Sequence, residues 1–153
     1  MNAKVVDALK QIEDAKDSLK VPTLYFRARI TASTTDFSSG QDLVFPSVEV
    51  NEGKGYDSST GKFTASITGM YLFSVQCCVH YQKYGYIEIV HQDKTLQRST
   101  HYDSTGAGSC VTMQVSTPVS MGHQVWVRAT GSSSLYADSS HRYTSFCGTL
   151  IHM

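Results

Sequence analysis

The chain has 153 residues, long enough for one domain with a single sizeable core, and 41% of them are hydrophobic. Thirteen Lys plus Arg balance thirteen Asp plus Glu with no basic cluster, so the electrostatic footprint of a nucleic-acid binder or a basic membrane-binding surface is missing. No apolar run approaches the roughly 18 residues of a membrane span, and membrane insertion is not expected.

The opening MNAKVVDALKQ lacks the apolar stretch of a secretory signal. Residues 3–20 read as a helix, because Val5, Ala8, Ile12, Ala15 and Leu19 recur at alternating steps of three and four before Pro22 stops the pattern. So short a heptad run is marginal by itself. It either docks on its own domain or bundles with copies tied together by the domain behind it. The second is the expectation, with Val5, Ile12 and Leu19 as the seam of a trimer helix. The expected organisation is therefore a helical segment over 1–21 and one globular domain over 22–153.

Beyond Pro22 the composition turns to Ser, Thr, Tyr, Gly and Val, residues suited to strands and turns. Leu24, Phe26 and Ala28 alternate with Tyr25, Arg27 and Arg29, and residues 31–42 read as a Ser/Thr/Gly-rich loop. From Phe45 to Val75, three short apolar runs are separated by glycine-bearing breaks at 51–55 and 57–61. The last run alternates with period two, placing Tyr71, Phe73, Val75 and then Cys77 on one buried face.

Residues 81–86 read as a turn, 86–90 as a strand and 91–108 as a polar connection. Val111, Met113 and Val115 alternate, 124–129 is a further strand, 130–144 a polar loop, and SFCGTLI closes the chain. Roughly eight to ten short strands at regular spacing indicate a β-sandwich or barrel.

Cys77, Cys78, Cys110 and Cys147 match no zinc-ligand spacing. The expectation is free, mostly buried thiols, with disulfides among Cys78, Cys110 and Cys147 left open for an oxidising compartment.

The spacing Phe45, Asn51, Tyr56, Phe63, Gly69, Tyr71, Phe73 resembles the signature of the C1q domain family. Val75 stands where the family pattern has Phe or Tyr. The later runs Gly122-x-x-Val125-Trp126-Val127 and Ser145-Phe146-x-Gly148-x-Leu150 are similar to the family's last strands. The resemblance covers about residues 22–153, and the chain carries no Gly-x-y collagen repeat. It implies an all-β, ten-stranded jelly-roll β-sandwich of the C1q/TNF-like kind, with the short N-terminal helix outside it. It also implies a secreted homotrimer. Six Phe and nine Tyr suit such an assembly, since aromatics anchor subunit interfaces.

No catalytic constellation stands out. The six histidines lack HxH or HExxH spacing, and no GxSxG, GxxxxGKS or GxGxxG motif is present. His101-Tyr102-Asp103-Ser104 holds triad residue types, but neighbours in a loop do not present triad geometry, so no enzyme is expected. Asp93, Asp103 and Asp138 could contribute to a calcium site, although no EF-hand pattern accompanies them.

Binding is the better prospect, because sandwich loops carry recognition on a fixed scaffold. The candidates are Tyr81 and Tyr84 in one loop, His101, Tyr102 and Asp103 in a second, and Tyr136, Asp138, His141, Arg142 and Tyr143 in a third. Tyr faces can stack on sugars, while Asp, His and Arg offer directional hydrogen bonds. With the resemblance, these loops give a first expectation of a lectin-like pattern-recognition trimer that binds microbial glycans with multivalent gain. The alternative is a secreted signalling or adhesion ligand, of cerebellin or TNF-like type, that binds a protein receptor.

Overall fold

The computed structural model describes residues 2–18 and 20–153. Helix α1 spans Ala3–Ser18, and the Asn2 side-chain oxygen accepts the Lys4 N–H at 2.7 Å, capping its first turn. The described side chains from 2 to 17 are all exposed. Val5 is 47%, Leu9 54% and Ile12 65% accessible, so the helix does not dock on its own domain. Leu9 joins Val5, Ala8 and Ile12 in the apolar stripe, while Leu19 lies outside the described residues.

Thirteen strands follow among the described residues. The first six are β1 (Tyr25–Ile30), β2 (Thr34–Phe37), β3 (Asp42–Leu43), β4 (Ser47–Glu52), β5 (Tyr56–Asp57) and β6 (Lys62–Thr64). Then come β7 (Gly69–Cys78), β8 (Tyr84–His91), β9 (Lys94–Tyr102) and β10 (Cys110–Val119). The last three are β11 (Gln124–Ala129), β12 (Ser133–Tyr136) and β13 (Thr144–His152). One sheet has the order β10-β7-β13-β1-β4 and the other β5-β6-β11-β8-β9, with β3 also pairing β11. β2 and β12 form a separate two-stranded ribbon.

The all-β sandwich is as expected, but the count is thirteen because ladders of two to four residues occur where the sequence reads as loop. The 31–42 stretch contains β2 and the start of β3, and the 130–144 stretch contains β12. The 91–108 connection holds the nine-residue β9, a strand at the sheet edge with only partial burial.

The core lies where period two puts it. Tyr71, Phe73, Val75 and Cys77 are all buried on the inward face of β7. The Phe26 ring lies 4.9 Å from both Tyr56 and Phe146, and Phe63 packs edge-on to Tyr71 and Phe73. Gly148 leaves room for this cluster, since a Cβ there would come within 2.6 Å of Phe26 and 2.7 Å of Phe73.

Antiparallel register sorts the connections into two ends. β7 finishes at Cys78 opposite the first residue of β10, and β8 starts at Tyr84 opposite the last residue of β9. β13 starts at Thr144 opposite Ile30, the last residue of β1. Residues 79–83, 103–109 and 137–143 therefore converge at the end of the sandwich remote from Tyr25, where the chain arrives from α1. Cys78 and Cys110, directly opposite in the ladder, form a disulfide with Cα atoms 3.9 Å apart. This corrects the expectation of four free thiols. Cys77 and Cys147 remain free, and burial pushes the Cys77 thiol up to about 12.

Candidate recognition surface

The three loops named from sequence meet at one end, but their residues divide into two kinds. Asp103 and Arg142 face inward and hold the loops together. Asp103 is fully buried rather than part of a wet loop. Its carboxylate accepts the Gln82 and Gly108 N–H groups, each at 3.1 Å, and its own N–H donates to the Lys83 carbonyl. Burial pushes its pKa up, but the hydrogen bonds from Gly108 and Gln82 outweigh that and hold the carboxyl below its ordinary value.

Arg142 reaches across from the third loop. Its Nε donates to the Gly108 carbonyl at 2.5 Å, its Nη2 to the Ala107 carbonyl at 2.6 Å, and its Nη1 to Asp138 at 3.1 Å. Asp138 also accepts the Ser140 and His141 N–H groups. Desolvation opposes ionisation, yet the His141 N–H and the Arg142 guanidinium bring this carboxyl down to about 2. These loops are tied by backbone-directed, charge-assisted bonds as well as by the disulfide.

The other candidates form the rim. Tyr84 stacks on Tyr86 at 5.1 Å and lies 4.6 Å from Tyr102, making an aromatic row on the outer face of β8 and β9. His101 and Tyr102 thus belong to strand β9 rather than to a loop, and His101 Nε2 is 2.7 Å from Ser109 Oγ. Tyr81, Tyr136 and His80 form a second cluster, with centroids 5.2–5.7 Å apart. Tyr143 stands apart under the Arg29 guanidinium, 3.9 Å from its centroid, and His141 is exposed.

Between the β2–β12 ribbon and the 79–84 segment lies an open cleft of about 600 Å³. Asp36, Phe37, His80, Lys83, Tyr84, Ser132 and Ser134 are among the residues that line it. Of the ten candidate residues only Tyr84 reaches this cleft. The Ser-rich run at 132–134 was its one signal in the sequence. Asp93 sits at the β8–β9 turn, at the opposite end from Asp103 and Asp138, and pairs with Arg128. Among the described residues no group of three His, Cys, Asp or Glu side chains comes together to hold a metal ion.

Comparison with known proteins agrees with this architecture. Complement C1q tumor necrosis factor-related protein 3 of Mus musculus is 28% identical over 127 residues, covering 82% of this chain and 50% of the relative. Complement C1q tumor necrosis factor-related protein 6 of Rattus norvegicus is 32% identical over 113 residues, covering 71% of this chain and 42% of the relative. The chain thus spans half or less of these relatives. Among solved structures, the globular domain of zebrafish complement 1qA superposes with a TM-score of 0.69 at 17% identity, covering 84% of this chain and 98% of that one. The C1q domain model matches residues 25–151, and the chain belongs to the C1q domain family.

Proposed function

We propose that this chain is the binding head of an extracellular, self-associating ligand of the C1q/TNF-related type, and that it recognises a protein receptor through the Tyr-rich rim. The observation that carries this is the division of labour at the loop end. Asp103, Arg142 and the Cys78–Cys110 disulfide pre-order the loops, leaving Tyr81, Tyr84, Tyr102 and Tyr143 about 42–43% exposed. Rigidly held exposed tyrosines supply contact area at little entropic cost, as in protein-recognition hot spots. The head acts by binding and not by catalysis.

Three further features support the reading. The disulfide fits an oxidising compartment. Tyr25, Thr149 and Leu72 occupy one row on the outward face of the five-stranded sheet, and each is only partly covered. That row offers a seat for a second and third copy. The exposed stripe of α1 offers another, at the end remote from the rim. The relatives' names also favour a tumor-necrosis-factor-related ligand over a lectin.

A second reading, glycan recognition, draws support from the serine-lined cleft beside Tyr84. One experiment separates the two. Fluorescent protein is bound to animal cells before and after glycosidase treatment, alongside a folded Tyr81→Ser/Tyr84→Ser/Tyr143→Ser variant. Receptor binding predicts retention after glycosidase and loss in the variant. Binding abolished by glycosidase would replace this proposal with the glycan reading. Light scattering that gives a monomer mass at micromolar concentration would remove self-association.

A further inference from the structure

Two histidines outside the recognition surface stand at the opposite, helix-side end of the sandwich. His91 ends β8 and His123 closes the turn before β11, with Nε2 of the first 3.0 Å from Nδ1 of the second. Both rings are partly buried, and their segments are fixed by backbone bonds. The His123 carbonyl accepts the Ala65 N–H at 3.0 Å, and the Gln124 carbonyl accepts the Gln92 N–H at 3.1 Å. The Gln124 N–H in turn donates to Gln92 Oε1 at 2.7 Å. Two imidazoles are thus held nitrogen to nitrogen, one at the end of a strand and one in a hydrogen-bonded turn, which is geometric pre-organisation rather than chance contact between mobile side chains.

Alone, the pair shares one proton, one facing nitrogen donating and the other accepting. Moving that proton to the far nitrogen of the same ring frees both facing lone pairs with no proton released and no change in charge. Metal–imidazole bonds of about 2.0–2.1 Å, meeting at an octahedral to tetrahedral angle, put their nitrogens about 2.8–3.4 Å apart. The observed 3.0 Å lies within that span. We propose that His91 and His123 form a two-imidazole site for a borderline-soft divalent cation of the zinc or copper class, with water completing the shell. Calcium and magnesium, which take oxygen ligands, do not suit it. Lys94, the ladder partner of His91, places a positive charge beside the pair and tempers its affinity. With two protein ligands the ion is exchangeable, and when bound it pins the turn before β11 to the β8–β9 hairpin.

The test uses untagged protein carrying Cys147→Ser, so that the part-exposed thiol does not compete for soft metal. Zn²⁺ and Cu²⁺ are titrated by calorimetry while the histidine ring protons are followed by NMR. One ion per chain is expected, with the signals of His91 and His123 moving and that of His152 unmoved. His91→Gln and His123→Gln should each weaken binding by at least about 10-fold, the lower end for loss of supporting groups at such sites. Lys94→Gln should tighten it. No uptake below millimolar Zn²⁺, shifts confined to other histidines, or unchanged affinity in either histidine variant would overturn the assignment. Unchanged or weaker binding in Lys94→Gln would overturn the electrostatic role given to Lys94. The NMR shifts are read on otherwise unaltered chain, so the outcome stands even if a histidine variant fails to fold.

Discussion

Asp103 and Arg142 grip the same glycine from opposite sides. The Asp103 carboxylate takes the Gly108 N–H at 3.1 Å, and the Arg142 guanidinium takes the Gly108 carbonyl at 2.5 Å. Gly108 has φ +71°, and a Cβ there would lie 2.8 Å from the Tyr81 ring and 3.1 Å from Arg142 Nε. Gly106 has φ +74°, but a Cβ there would meet only the Gln82 Cγ, at 4.0 Å. Both Gly106→Ala and Gly108→Ala should cost about 1–2 kcal/mol for the left-handed backbone. Gly108→Ala should cost more, because it also displaces Tyr81 and loosens the grip. Paired thermal melts read the difference, and equal losses would refute the grip.

Acid should loosen the loop end in a predictable window. Asp138 titrates at about 2 in the folded chain, below its ordinary 3.8, so its contribution is complete above about pH 4 and is lost as pH falls toward 2. Asp103 and Glu88 are also held below their ordinary values and add to the same slope. Tm measured from pH 6 to 2 should fall mainly below pH 4. Asp138→Asn should be less stable at pH 6 yet fall less steeply below 4. An identical slope in the variant would contradict this assignment.

The Cys78–Cys110 bridge closes a sequence separation of 32 residues. Replacing both cysteines by serine should cost about 2–5 kcal/mol. Amide exchange should rise most at residues 79–83 and 103–109, next to the bridge, and least in the middle of β7. Uniform change along the chain would mean that the bridge acts on the unfolded state alone.

Core and rim aromatics should separate cleanly. Phe146, fully buried against Phe26 and Phe45, should cost about 3–5 kcal/mol as Phe146→Ala. Tyr84→Ala should cost under about 1 kcal/mol, since the residue is 43% exposed, while weakening partner binding. A large stability loss at Tyr84 would mean that the aromatic row is structural.

What was legible from sequence tracks what period two can report. β7 alternates buried Tyr71, Phe73, Val75 and Cys77 with part-exposed Leu72, Ser74 and Gln76, so its face, its burial and the family spacing could all be read directly. β9 could not, because an edge strand with LQRSTHY carries no apolar stripe; only Leu96 packs against the core. The disulfide was hidden for another reason. Pairing Cys78 with Cys110 depends on the register of β7 against β10, which tertiary packing sets. At the loop end the sequence names residue types but not the directions in which their side chains point. Asp103 and Arg142 look like ligand-binding groups, but their partners include backbone N–H and carbonyl groups up to 35 residues away, and these have no sequence signature.

Three of the signature positions do more than fill the core. The Tyr56 hydroxyl donates to the Phe45 carbonyl at 3.1 Å and accepts the Phe45 N–H at 3.0 Å. Asn51 repeats the arrangement on Tyr56, its amide donating to the Tyr56 carbonyl at 2.9 Å and its oxygen accepting the Tyr56 N–H at 3.1 Å. Each side chain thus stands in for a neighbouring strand, and the two are chained head to tail. The intervals of six residues from Phe45 to Asn51 and five from Asn51 to Tyr56 therefore act as a fixed ruler. A single residue inserted or deleted between Asn51 and Tyr56 would change the spacing of both two-point attachments at once, and one between Phe45 and Asn51 would change that of the Phe45–Tyr56 attachment.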